Sequence, residues 1–98
     1  MIRHVALFRW AEGVTPAQVD EIVEALEALP AQIPTIRSYV VGPDLGLGPG
    51  RWDFAVFATF DDAEGYQAYM DHPAHVRVAE ELIVPIRADR AHIQIEER

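Results

Sequence analysis

Hydrophobic residues in this chain alternate along some stretches and recur every three to four residues along others. Ile2–Trp10 reads as a strand, with Ile2, His4, Ala6, Phe8 and Trp10 on one face and Arg3, Val5, Leu7 and Arg9 on the other. Both faces are apolar at their centres, so both are expected to be covered. Trp52–Phe60 repeats this arrangement, setting Trp52, Phe54, Val56, Ala58 and Phe60 against Asp53, Ala55, Phe57 and Thr59. Ile36–Val41 is a shorter strand. Arg90–Glu96 alternates cleanly, Ala91, Ile93 and Ile95 against Arg90, His92, Gln94 and Glu96, as a half-exposed strand does.

A helix is predicted from Thr15. Thr15 and Gln18 form a capping box, Pro16 suits the first helical position, and Val14 is placed to staple onto Val19. Val19, Ile22, Val23, Leu26 and Leu29 make its buried stripe, while Asp20, Glu21, Glu24 and Glu27 form a solvated face. Pro30 and Pro34 end it. Asp61 and Glu64 read as a second capping box, leading into a helix on which Tyr66, Tyr69 and Met70 share a face. Pro73 cannot continue that helix but suits the start of another, so a turn is expected near Asp71–His72. The second piece then runs to about Val84, with Val76, Ala79, Ile83 and Ile86 on one stripe.

The glycine-rich GPDLGLGPGR segment has no following Lys-Ser/Thr pair and no dinucleotide fingerprint, and reads as a long hairpin loop. The element order is therefore β-α-β-β-α-β, a ferredoxin-like α+β fold in a single domain spanning residues 1–98. Its first and third strands are central, and these are the strands apolar on both faces. Two helices cover only one face of such a sheet. The other would leave residues such as Ala6, Phe8, Val56 or their neighbours in water. A two-fold homodimer packed sheet to sheet, with a barrel-like space between the sheets, is expected.

Composition narrows the partners. The 98 residues are 50% hydrophobic and 24% charged, ordinary for a folded domain. A net charge of −8 argues against nucleic acid and against anionic membrane surfaces. No apolar run approaches the roughly 20 residues of a membrane span. The opening MIRHVALFRW lacks a leader pattern, and there is no cysteine. A cytoplasmic protein without a cofactor is expected.

Candidate chemistry concentrates in YQAYMDHPAHV, residues 66–76, joined by His4 from the first strand. His75, with an ordinary pKa of about 6.5, suits a general base near neutral pH. Tyr69 would donate to a substrate carbonyl and orient the imidazole. The plainer alternative has both side chains hydrogen-bonded to each other or to the backbone, fixing the angle between the two helical pieces. His72, just before Pro73, suits a helix start. His72 and His75 lack a third ligand in sequence, so no metal is expected. His4, between Ile2 and Ala6, reads as a core histidine or one lining a cavity. His92 is expected to be exposed, and Trp10 and Trp52 to pack in the core or at the dimer seam.

MIRHVALFRW, EGVTPAQ, LPAQIPTIRSYVVGPDLG, WDFAVFATFDD and above all YQAYMDHPAHV resemble the stress-responsive A/B barrel (Dabb) family over essentially the whole chain. The resemblance implies a dimeric α+β barrel. Some plant relatives are polyketide cyclases; by similarity Tyr69 and His75 correspond to their acid–base pair and His4 to their first-strand histidine. Those cyclases carry another histidine on the strand matching Trp52–Thr59, and here Phe54 lies near its place. Three functions stay open: a binder of a small apolar or aromatic molecule through His4, Tyr69, His72 and His75; a cofactor-independent cyclase-like enzyme; and a ligand-free structural stress protein. An apolar cavity of at least roughly 300 Å³ holding Tyr69 and His75 would mark a ligand site.

Overall fold

A computed structural model describes all 98 residues. Four antiparallel strands, β1 (Ile2–Trp10), β2 (Ser38–Pro43), β3 (Phe54–Phe60) and β4 (Arg87–Glu96), form one sheet in the order β2-β3-β1-β4. Helices α1 (Pro16–Glu27), α2 (Ala63–Asp71) and α3 (Pro73–Val78) lie on one face of it. This is the ferredoxin-like arrangement, with β1 and β3 central. No helix is long and apolar enough to cross a membrane.

The capping box of α1 forms as predicted. Gln18 N–H donates to Thr15 Oγ1 at 3.3 Å, and Thr15 N–H donates to Gln18 Oε1 at 2.8 Å. Ile22 and Leu26 are buried against the sheet, followed by Leu29 in the 3₁₀ turn Leu29–Ala31. The cap of α2 is one residue later than predicted. Asp62, not Asp61, accepts from Gly65 N–H at 2.8 Å, while Asp61 pairs with Arg37. Adjacent aspartates offered two frames, and the tertiary ion pair takes the first.

Beyond Pro73 the single predicted piece is divided. α3 ends at Val78, a π turn follows over Ala79–Ile83, and a 3₁₀ turn over Val84–Ile86 delivers the chain into β4. β4 starts at Arg87 rather than Arg90, and β2 and β3 each start two residues later than expected.

The exposed sheet face also differs from expectation. Ala6, Val56, Ala58 and Phe60 face the helices and are buried. The opposite face carries Val40, Phe57, Val5 and Ile93 in one row across all four strands, each in register with the next. Val40 is 65% exposed and Ile93 59%. Ile95 and Leu7 extend the patch on either side.

Candidate functional site

Pro73 shapes the site. In a continuous helix the Tyr69 carbonyl would accept from residue 73 and the Met70 carbonyl from residue 74. Proline has no N–H, so Tyr69 O accepts from His72 N–H at 3.3 Å instead. His72 turns its Nδ1 onto Ala74 N–H at 3.1 Å and caps α3. The Met70 carbonyl is thereby freed, and His75 Nδ1 approaches it at 3.2 Å. A carbonyl only accepts, so Nδ1 carries the proton and Nε2 presents a lone pair. Burial lowers the His75 pKa from 6.5; the Met70 hydrogen bond opposes that shift and the charge of His72 adds to it. The ring is a neutral base at pH 7.

Tyr69 packs its ring against this imidazole, centroids 4.3 Å apart, and is 2% exposed. Its hydroxyl lies 2.7 Å from the Tyr39 hydroxyl and forms no bond with His75. The imidazole is thus oriented by the Met70 carbonyl, as in the backbone-bonded alternative, and braced by the tyrosine ring face rather than by the phenol. Burial pushes the Tyr69 pKa up to about 12, the Tyr39 hydrogen bond pulling the other way and the neighbouring Tyr66 adding to the rise. Tyr69 therefore stays protonated, a donor and not a base.

His4, 4% exposed, completes the group. Its Nδ1 accepts from Gln94 Nε2 at 2.9 Å, and its ring lies 6.1 Å from that of Tyr69. Burial depresses its pKa to about 4, with further contributions from the charges of His92 and His75. His4, Tyr69 and His75 line one pocket of about 80 Å³, walled by Phe8, Leu26, Val56 and Ile83. This is well below the expected size and admits only a small molecule. His72 lies outside its lining. Nowhere do three His, Cys, Asp or Glu side chains converge as a metal site would require.

The family model of the stress responsive A/B barrel domain matches residues 2–96. The chain belongs to that family. A stress-response A/B barrel domain-containing protein of Arabidopsis thaliana is 35% identical over 78 residues, covering 76% of this chain and 67% of that one. A dimeric ferredoxin-like protein of unknown function from Thermobifida fusca is 48% identical, with a TM-score of 0.90 over 98% of this chain and 90% of that one. A cofactor-independent oxygenase from Streptomyces nogalater shares the fold alone, at 13% identity and a TM-score of 0.77 over 99% and 92% of the two chains.

In this A/B barrel domain, residues that the sequence reading passed over also serve the site. Tyr39 and Gln94 hold Tyr69 and His4 from distant strands. Arg87 and Arg90 enter the pocket lining from β4, together with His92, which is exposed as expected. The pairing of His4 with Gln94 follows from the β1–β4 register, which local pattern does not reveal.

The depressed histidines predict a pH dependence. Unfolded, His4 and His75 titrate near 6.5; folded, His4 waits until about 4 and His75 is also lowered. As pH falls through this window the unfolded chain takes up protons that the folded chain refuses, so stability is lost. At about 1.4 kcal/mol per pKa unit, discounted for residual hydration, the loss between pH 7 and 4 is on the order of 2 kcal/mol. Urea unfolding at stepped pH should show it, and His4→Phe should flatten the slope. An equal slope in that variant would refute the assignment. Asp61 and Glu97, lowered by Arg37 and Arg3, lose their contributions as pH falls below their ordinary values of 3.8 and 4.5, mostly beneath this window.

Proposed function

We propose that this protein is a cytoplasmic homodimer that binds a small, mostly apolar molecule in the pocket between β1, β4 and the α2–α3 corner. The observation that carries the reading is the His75 imidazole: Nδ1 is held by the Met70 carbonyl and Nε2 is left without a partner, on an apolar pocket also lined by His4 and Tyr69. A brace needs only one end of the ring. The other end is available to a ligand hydroxyl or carbon acid. Assembly as a dimer is supported by the Val40–Phe57–Val5–Ile93 row and by the dimeric Thermobifida fusca relative.

Acetophenone, a one-ring ketone, is a suitable neutral probe. Its addition at millimolar concentration should shift the amide resonances around His75 and Ile83 and raise Tm. Ala79→Phe, which places a ring in the pocket, should abolish both effects while the protein stays folded. No response in the wild-type protein would favour the ligand-free structural role.

The same free Nε2 favours a second reading, cofactor-independent proton abstraction next to a carbonyl, with Tyr69 as donor to the oxygen. Exchange of the acetophenone methyl protons into D₂O reads that step directly. A general base typically contributes about 10²–10⁴-fold, so His75→Gln should slow exchange by at least roughly 100-fold. Equal rates in the two proteins would remove the enzyme reading and leave the binder.

A further inference from the structure

The charge of the pocket runs against that of the protein. The chain carries 16 acidic residues against 8 basic ones, yet no carboxylate lines the pocket, whereas Arg87 and Arg90 do. Four other surface concavities each include an acidic residue: Asp44 with Trp52, Asp53 with Trp10, Asp61 with Thr35 and Glu81 with Pro85. Ion pairs occupy Arg3, Arg9, Arg37 and Arg51, but neither Arg87 nor Arg90.

The backbone accounts for both arginines being there. Residues 87 and 90 differ by an odd number, so in a regular strand they would point to opposite faces. Arg9 pairs with Asp89 and Trp10 with Arg87, leaving Ala88 as an extra residue, a β-bulge. The bulge re-aims Arg87 onto the helix-side face that already carries Arg90, His92 and Gln94. Without it Arg87 would join Asp89, Ala91 and Ile93 on the opposite face.

We propose that Arg87 and Arg90 receive the anionic end of the ligand, so that the molecule accepted is a small carboxylate or comparable organic anion with an apolar body. This rests on the pocket being a ligand site, and names the ligand's chemistry. The apolar body lies against Phe8, Val56 and Ile83, while the guanidiniums hold the anion at the mouth by charge-assisted hydrogen bonds. His4 does not supply the charge, because burial keeps it neutral above about pH 4.

Benzoate and the isosteric, neutral benzamide separate the possibilities by NMR titration at pH 7.5. Benzoate should bind at least about tenfold more tightly, the scale of charge-assisted bonds from arginine. Arg87→Gln and Arg90→Gln, both outside the buried core, should each reduce that preference, and the double variant should erase it. Arg9→Gln removes the same charge from the opposite sheet face and should leave the preference intact. The preference should also persist from pH 6 to 9, since guanidinium does not titrate there, whereas capture by histidine would fade. Equal binding of the two probes would overturn the anion assignment and leave the binding pocket standing. Failure of benzoate, benzamide and acetophenone alike would overturn both. A benzoate preference unchanged in the double variant would place the anion elsewhere and refute the role of the arginines.

Discussion

Replacing Phe57 with aspartate is expected to leave the protein monomeric. Phe57 sits in the row Val40–Phe57–Val5–Ile93, which crosses the whole open face of the sheet at about 4.8 Å per strand. In a two-fold assembly the substitution appears twice. Each buried, unpaired carboxylate costs several kcal/mol. A dimer affinity loss of at least roughly 10³-fold follows, at about 1.4 kcal/mol per tenfold. Light scattering on a sizing column should show the wild-type protein at twice the monomer mass of 11.0 kDa and the variant at the monomer mass. The fold of the subunit should persist, because Phe57 points away from the helices. A wild-type monomer at micromolar concentration would refute the assembly. A dimeric Phe57→Asp variant would move the interface off this face.

Tyr69→Ala should bring the domain close to unfolding. The ring packs among Phe60, His4, Tyr39 and His75, with centroids 4.3 to 6.1 Å away. Truncating a buried aromatic costs about 3–5 kcal/mol, and leaving the Tyr39 hydroxyl without its partner adds about 1–3 kcal/mol. A domain of this size has only about 5–15 kcal/mol in total. Tyr69→Phe retains the ring and should cost only the hydroxyl share. Urea unfolding followed by circular dichroism separates the two contributions. Equal losses in both variants would assign the role to the hydroxyl pair, and a loss under about 1 kcal/mol in Tyr69→Ala would show that the ring is not central.

What the sequence revealed and what it hid have a common cause. Strand β1, the cap of α1 and the break at Pro73 depend on residues within a few positions of one another, and they are legible. The pairing of Tyr69 and His75 belongs with them, since Pro73 lies between the two. The outward face of the sheet was not legible. Val5 and Leu7 are as apolar as Ala6 and Phe8, and only packing decides which pair meets α1 and α2. The site's distant partners, Tyr39 and Gln94, are set by strand register. The arginines depended on a single bulge residue, which shifts the parity of the strand and so defeats any reading by alternation. Ala88 carries no compositional mark of that role.

The parity of β4 separates two surfaces along one ribbon of chain. Odd positions from Ala91 onward belong to the sheet's apolar surface, even positions from Arg90 onward to the helix side, and only Ala88 resets the count. On the proposed ligand site and dimer face, drift at positions 90 and 92 would alter what the pocket accepts without touching how copies meet. On the same proposals, drift at 93 and 95 would do the reverse. A lineage could then change the proposed small-molecule preference while conserving the proposed assembly. A one-residue deletion near Ala88 would disturb which face Arg87 serves.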